Sequence, residues 1–131
     1  MINIGALGEN AAQDFLKKQK YIILARNYRT RNGEIDIVAY RRGVLVFAEV
    51  KTRTGNAFGA PKDAVDDEKI ARCMRARQDL ISNYLKNGRI PVTYRFFTLK
   101  RRVFKTRNDI FEVYAAKNGE IQSINHIKDA F

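Results

Sequence analysis

The sequence predicts an α/β fold in which a central sheet is covered by helices. Two stretches carry apolar residues at helical spacing, one near the amino terminus and one over residues 66–86. Between them lie two β-branched and aromatic runs, residues 35–40 and 44–50, which are separated by Gly43. Such a pair is typical of a β-hairpin. Because apolar residues occupy both faces of these runs, we expect central strands that are covered on both sides.

The first helix is predicted from its apolar periodicity. A strand candidate over residues 21–28 follows it and runs into a basic stretch over residues 26–31. Basic residues interleaved with an aromatic suit a strand end that faces phosphates, whereas solvated loop charge is the alternative for any single arginine. The candidates for nucleic-acid contact in this stretch are Arg26, Arg29 and Arg31.

The loop between the two hairpin runs determines how they pair. If residues 42–43 form a two-residue turn, Asp36 faces Glu49 and Glu34 faces Lys51. Side chains alternate along a strand, so these four polar residues would share one face at one end of the hairpin. A glycine bulge would instead shift the register by one residue and break the pairing.

Asp36 and Glu49 are the candidate metal ligands. Two carboxylates held this close repel each other unless a proton or a cation lies between them. Hard divalent cations bind oxygen, so the pair could share one ion. A surface salt-bridge patch is the alternative. Since acidic groups in strands that are apolar on both faces are costly unless paired or metal-bound, we favour the metal site.

Glu9 is a possible third carboxylate of that site. It lies beside the apolar stripe of the first helix and could reach towards the hairpin. It is equally well explained as a favourable acid near a helix amino terminus. The sequence leaves both interpretations open.

The second helix is predicted to begin at a cap of Asp66 or Asp67 and to stop at Gly88. A polar loop with glycines, residues 52–60 closed by Pro61, precedes it. One helix face carries basic residues at i, i+3 and i+6, which either contact DNA or are solvated. These residues are Lys69, Arg72 and Arg75.

The last third of the chain is predicted to be mostly strands. Residues 92–99 and 109–116 are two candidates, and residues 121–127 form a third. The basic run over residues 100–107 is either an edge hairpin that contacts phosphates or an exposed loop kept soluble by its charge.

Composition narrows the class of partner. The chain has 131 residues, enough for one domain with a proper core, and its net charge is +11 with a pI near 10.0. This balance suggests an anionic partner, with nucleic acid ahead of an acidic membrane surface or an acidic protein. The single cysteine, Cys73, excludes an internal disulfide and a cysteine zinc cluster. No apolar run approaches the roughly 18 residues of a membrane span, so we expect a cytoplasmic protein with no membrane partner.

Several segments together carry a family resemblance: Gly8-Glu9, Arg26-Asn27-Tyr28-Arg29, Gly33-Glu34-Ile35-Asp36-Ile37-Val38-Ala39, Glu49-Val50-Lys51-Thr52-Arg53 and Phe58-Gly59-x-Pro61. They resemble the YraN-type family of bacterial endonuclease-like proteins in the PD-(D/E)-x-K nuclease superfamily, and are similar to archaeal Holliday junction resolvases. The resemblance is dense over residues 5–90. It implies a restriction-endonuclease-like fold with a mixed central sheet flanked by helices.

The resemblance also implies metal-dependent hydrolysis of phosphodiester bonds. Asp36 and Glu49 would hold Mg²⁺ or Mn²⁺, and the backbone carbonyl of Val50 would complete the coordination. Lys51 would orient or deprotonate the attacking water, and Glu9 matches the resolvases' amino-terminal acid. A bound metal lowers the pKa of its water.

One departure from the family pattern concerns the strand after the long helix. That strand usually reads Arg-Phe-Asp in the family, whereas here Arg95-Phe96 is followed by Phe97. Phe111-Glu112-Val113 resembles the same strand again. Residues 97–108 are therefore interpreted as a basic insertion.

The expected function is a metal-dependent DNA endonuclease, with branched or recombination intermediates as candidate substrates and a homodimer as a suitable arrangement for cutting two strands. The alternative is a non-catalytic nucleic-acid-binding or adaptor protein that retains the fold, and RNA is the weaker partner. Glu34 is an additional candidate site residue. The expected nucleic-acid contacts are Arg26, Arg29, Arg31, Arg53, Lys69 and Arg72.

Overall fold

The structure is a computed structural model that describes residues 2–54 and 66–131. Its elements in chain order are α1 (Ile4–Lys18), β1 (Ile22–Arg29), β2 (Glu34–Arg41), β3 (Val44–Thr54), α2 (Asp67–Tyr84), β4 (Arg89–Thr93), β5 (Thr98–Arg102), β6 (Lys105–Ala115) and β7 (Ile121–Ile127). Of the predicted loop 52–60 and its closing Pro61, residues 52–54 extend β3 and the remainder lies outside the described residues.

Five strands form a mixed sheet in the order β1-β2-β3-β6-β7. Strands β3 and β6 are parallel, and the other neighbouring pairs are antiparallel. The chain between β3 and β6 contains α2 and a separate two-stranded sheet, β4-β5. This arrangement confirms the expected α/β class and is consistent with a restriction-endonuclease-like fold.

Each face of the sheet has its own apolar core. Helix α1 covers one face through Ala12 and Leu16, against Ile37 and Phe111. Helix α2 and β4 cover the other face, where Phe47 is fully buried. Strands β2 and β3 are buried on both faces, as predicted. None of the described helices has the length and apolar character needed to cross a membrane.

Ile35 lies on the other face from the one that strict alternation predicts. Alternation would place it beside Ile37, but it packs in the core under α2. The described ladder between β2 and β3 ends at Ile37 and Ala48. Ile35 instead pairs with Tyr28 of β1, a side chain that packs against the same α2-side core.

Helix α1 begins where the carboxamide of Asn3 accepts a hydrogen bond from the Ala6 N–H at 3.0 Å. Lys17 and Lys18 lie in its last turn, where cations are favourable. Gly8 faces Thr52 of β3, and a Cβ at that position would collide with the threonine side chain. The glycine therefore sets how closely α1 approaches the sheet.

Helix α2 begins at Asp66, whose carboxylate accepts a hydrogen bond from the Lys69 N–H at 2.8 Å. The helix ends at Tyr84, earlier than predicted. Gly88 does not stop it. Instead, Asn87 and Gly88, both with positive φ, form a tight turn whose flanking residues exchange backbone hydrogen bonds.

The strand predicted over residues 92–99 is wrong, because the chain turns in the middle of it. Residues 94–97 connect β4 to β5, and the Tyr94 N–H donates to the Phe97 carbonyl at 2.7 Å. The alternative, residues 109–116, coincides closely with β6, which pairs with β3 along its whole length. The proposed insertion, residues 97–108, divides into β5 and the beginning of β6.

The carboxyl-terminal strand is anchored to β6 by a buried carboxylate, Asp109. Its Oδ1 accepts from Arg107 Nε at 2.9 Å and from the Asp129 N–H at 3.1 Å. Nε2 of His126 lies 2.7 Å from Oδ2, and the imidazole stacks on Phe111 with centroids 4.1 Å apart. The Asp109 pKa is lowered because hydrogen bonds from His126 and Arg107 outweigh the effect of burial.

A carboxylate pair at the end of the central hairpin

The turn between β2 and β3 has the two-residue geometry that the sequence predicts. Arg42 and Gly43 both have positive φ, 46° and 84°, as a type I′ turn requires. Val38 is therefore opposite Phe47, and the predicted register is confirmed as far as the ladder extends.

Asp36 and Glu49 come together just beyond the last rung of that ladder. Asp36 Oδ2 accepts a hydrogen bond from the Val50 N–H at 2.8 Å, which ties β2 to β3 through a side chain. Asp36 is 8% exposed and Glu49 is fully buried. The two carboxylates interact strongly enough to affect the ionisation of Glu49.

Glu49 is held in an environment that disfavours its charge. Burial is the largest effect and the neighbouring Asp36 adds to it, so the pKa of Glu49 is raised to about 8. Neither carboxylate oxygen of Glu49 has a partner with good hydrogen-bond geometry in the part of the chain that the structure describes. A buried carboxylate in this state favours a proton or a cation beside it.

Lys69, in the first turn of α2, provides such a cation. Its Nζ lies 3.4 Å from Glu49 Oε2 and 3.6 Å from Asp36 Oδ2. Burial alone would lower the pKa of Lys69, but the two carboxylates outweigh burial and raise it. We expected Lys69 on a stripe that faces nucleic acid. In the structure it pairs with the carboxylates instead, because the Asp66 cap starts the helix beside them.

Cys73 lies one helical turn after Lys69 and is fully buried beside Glu49. Burial raises its thiol pKa, and the charge of Glu49 raises it further. The thiol is therefore an unreactive packing group.

Glu34 lies near the carboxylate pair but is not opposite Lys51, because the described pairing of β2 with β3 ends before it. It forms ion pairs with Arg29 and Arg72, each at 3.4 Å. Arg29, Arg31 and Arg72 line a shallow pocket of about 160 Å³ beside Gly33. A Cβ on Gly33 would collide with the α2 backbone, so this glycine lets the β1-β2 connection pack on the helix.

The third carboxylate that the sequence left open is not part of this pair. Glu9 pairs with Arg26 at 3.5 Å, and Arg26 also donates to Gln13 at 2.9 Å and to Asn10 at 3.2 Å. Arg26 thus ties β1 to α1, a role different from the expected phosphate contact. Within residues 2–54 and 66–131, no group of three or more His, Cys, Asp or Glu side chains could hold a metal.

Lys51 and Arg53 continue along β3 past the carboxylates. Lys51 is half-buried and, by strand alternation, shares the face of Glu49. Arg53 is 5% exposed, and its Nη2 lies 3.1 Å from Glu112 on β6. We expected Arg53 to contact nucleic acid, but its guanidinium is committed to this buried ion pair.

The fold and the acidic site together define a class of protein. A mixed sheet between helices, with an aspartate on one hairpin strand and Glu-Val-Lys on the next, places the chain among restriction-endonuclease-like proteins of the PD-(D/E)-x-K type. The chain belongs to the uncharacterised protein family UPF0102, whose sequence profile matches residues 8–113.

Relatives in this family are similar over nearly the whole chain. A UPF0102 protein of Alkaliphilus oremlandii is 40% identical over 128 residues, 98% of this chain and 97% of the relative. A UPF0102 protein of Dictyoglomus thermophilum is 38% identical over 128 residues, 98% of this chain and 96% of the relative. One of Flavobacterium johnsoniae is 37% identical over 128 residues, 98% of this chain and 93% of the relative.

Proposed function

We propose that the protein is an endonuclease that cleaves DNA with the help of a divalent metal ion. The observation that carries this proposal is Glu49, a fully buried carboxylate beside Asp36 whose oxygens have no good hydrogen-bond donor among the described residues. Burying such a group is costly unless a cation compensates it. The position of Lys69 supports this, because the pair already attracts one positive charge.

The donor set fits Mg²⁺ or Mn²⁺. Asp36, Glu49 and the backbone carbonyl of Val50 offer oxygen ligands, which both ions prefer. When bound, such an ion would act as a Lewis acid on the phosphate and lower the pKa of its water. The cluster has no sulfur or imidazole ligand besides the thiol of Cys73, which is held protonated.

The other side chains would position the substrate. Lys51 shares the face of Glu49 and would hold the attacking water or a phosphate oxygen. The pocket beside Gly33 would contact the DNA backbone through Arg31, which is exposed, and through Arg29 and Arg72, which also pair with Glu34. Phosphate contacts of this kind fix position without reading sequence.

A non-catalytic nucleic-acid-binding protein is the second candidate, and Lys69 also favours it. The ammonium group lies across both carboxylates and compensates them without a metal. In such a protein the acidic pair would be a structural ion-pair cluster, and only the basic surfaces would serve the function.

A cleavage assay separates the two candidates. Labelled four-way-junction DNA and a matched duplex would be incubated with Mg²⁺, Mn²⁺ or chelator. We expect metal-dependent cleavage by the wild type and loss of cleavage in Asp36→Asn and Lys51→Ala. Glu68→Gln, which removes an exposed acid from α2, is the matched control and should cut normally. Binding without cleavage under every condition would support the second candidate.

Metal binding can be measured without activity. We expect Mn²⁺ to raise the melting temperature of the wild type and of Glu68→Gln, but not that of Glu49→Gln. The Gln variant keeps the shape of the side chain and removes its charge, so it should fold. If Glu49→Gln responds to Mn²⁺ as the wild type does, Glu49 is not a ligand.

A further inference from the structure

A second basic surface lies at the turn end of the β2-β3 hairpin, where β3 begins five residues before Glu49. The β2-β3 turn, the β4-β5 hairpin and the residue before β6 line an open depression of about 430 Å³. We call it the basic groove and define it by Arg42, Arg89, Lys100, Arg101, Arg102 and Phe104. It contains the basic run whose role the sequence left open.

Five cations are concentrated in the basic groove. Across the described ranges, none of its five cations forms an ion pair with a carboxylate. Elsewhere, Arg26, Arg53 and Arg107 have acidic partners within 3.5 Å. Arg89 and Arg102 are directly opposite each other in the β4-β5 ladder, a placement that costs stability for like charges. This concentration of positive charge indicates an anionic ligand.

The backbone holds the groove in a fixed shape. The Tyr40 hydroxyl donates to the Arg102 carbonyl at 2.8 Å, and the Val103 N–H donates to the Gly88 carbonyl at 2.8 Å. The Phe104 N–H donates to the Gly43 carbonyl, also at 2.8 Å. Three segments distant in the sequence are thus joined around the depression. Because this backbone is already fixed, binding would have to order the side chains of the cations but not the segments that carry them.

Exposed aromatic rings accompany the charge. Phe104 is 73% exposed within the groove, and the Arg102 guanidinium lies 5.6 Å from its ring centroid. At the tip of the hairpin, Phe96 is 84% exposed with the Arg95 guanidinium at 5.2 Å. Exposed rings between cations provide stacking surfaces for unpaired bases, while the cations follow the phosphates. A duplex keeps its base faces stacked internally, and a flat membrane surface does not match a concave site.

We propose that the basic groove binds a single-stranded DNA segment. Val44 at the groove and Glu49 at the acidic site are five residues apart on β3, or about 17 Å. Tyr40 lines the groove, and Phe47 shares a face of β3 with Glu49. Both side chains pack in the core on the α2 side, so both sites belong to that side of the sheet. The substrate class is therefore branched DNA with a single-stranded arm, an extension that rests on the proposed endonuclease function.

The groove can be tested by binding alone, in chelator. Fluorescence anisotropy would follow a labelled oligothymidylate of about 12 nucleotides at about 50 and 200 mM salt. The triple variant Arg89→Ala, Lys100→Ala, Arg101→Ala should weaken binding at least about tenfold and reduce the salt slope by about 2, near 0.7 per lost contact. Phe104→Ala should weaken it about tenfold by removing a stacking surface.

The matched control removes the same charge elsewhere. Lys17→Ala, Lys18→Ala, Lys128→Ala changes three exposed lysines outside the groove and should bind like the wild type. Equal losses in the two triple variants would overturn the groove and leave only general electrostatic attraction. Tighter binding of oligouridylate would overturn the assignment to DNA. Capture by vesicles of anionic lipid without binding of oligothymidylate would overturn a nucleic-acid ligand altogether.

Failure of the groove and failure of the nuclease have different signatures. Asp36→Asn should bind oligothymidylate like the wild type, because it is distant from the groove. With metal, the wild type should cleave a splayed-arm DNA faster than plain duplex, and the groove triple variant should lose this preference. Binding of oligothymidylate without any cleavage would refute the nuclease and support the groove. Cleavage with equal rates on both substrates would refute the groove's role in substrate choice.

Discussion

Lys69 provides a positive charge beside Asp36 and Glu49, in the place where a metal ion would compensate them. Asp36 and Glu49 can be found from the sequence because the length of the hairpin loop fixes their register. Lys69 cannot be found in this way, because its contact depends on how α2 docks against the sheet, and no local pattern determines that docking. Glu34 was misplaced opposite Lys51 for a related reason, since the alternation of side chains does not reveal where a ladder ends.

Replacing Lys69 by Met tests whether its ammonium competes with a metal ion. The variant should lose about 1 kcal/mol of metal-free stability, a small cost because Lys69 is 37% exposed and Glu49 can take up a proton. It should also bind Mn²⁺ more tightly, because the competing charge is gone. Urea unfolding and Mn²⁺ titration measure the two effects.

The control for this prediction is Lys86→Met, which removes an exposed lysine just after α2 and should change neither quantity. Weaker Mn²⁺ binding by the Lys69 variant would mean that the ammonium supports the metal site.

Among the elements, whether a hairpin could be predicted from the sequence depended on the residues in its turn. The β2-β3 hairpin was predicted correctly because its apolar strands flank a glycine with positive φ. The β4-β5 hairpin was missed because its turn, residues 94–97, contains neither glycine nor proline and is rich in aromatic residues. Aromatic residues favour strands, so the turn looked like the middle of one. The ion-pair partners of Arg26 and Arg53 could not be predicted from the sequence either, because they lie on other elements.

The anchoring of β7 by Asp109 leads to a prediction about acid stability. The folded pKa of Asp109 lies below the value of 3.8 for the free side chain, so the unfolded chain takes up the proton first as the pH falls. Its contribution is therefore complete above about pH 4 and is lost as the pH falls through the folded pKa. Asp109→Asn should cost about 3 kcal/mol at neutral pH, because Arg107 loses a buried partner.

Urea unfolding at neutral pH and below about pH 3 measures both parts of this prediction. The stability of Asp109→Asn should depend less on pH than that of the wild type over the acid range. Asp129→Asn removes an exposed carboxylate but keeps the backbone N–H of residue 129, which donates to Asp109. This variant should behave like the wild type. Identical acid profiles for the wild type and Asp109→Asn would show that other carboxylates determine acid stability.

For the whole molecule, the net charge of +11 pointed to an anionic partner but not to where that partner binds. The structure divides the basic residues into two groups. Some are committed to acidic partners on β6, as Arg53 and Arg107 are. Others line the pocket beside Gly33 and the basic groove, at opposite ends of the central hairpin. Only tertiary contacts distinguish these two groups. Composition alone therefore overestimates the number of basic residues that are available to nucleic acid.

If both surfaces contact one branched DNA molecule, their contributions should add. Arg31→Ala, in the pocket beside Gly33, should reduce the salt slope for splayed-arm DNA by about 0.9, and Arg101→Ala, in the groove that holds the single strand, by about 0.7. The double variant should reduce it by about 1.6, because sites this far apart are independent. For oligothymidylate, only Arg101→Ala should matter. Anisotropy in chelator with both ligands gives all the values. An effect of Arg31→Ala on oligothymidylate, or a double variant no weaker than one single variant, would mean that the two surfaces do not hold separate parts of one substrate.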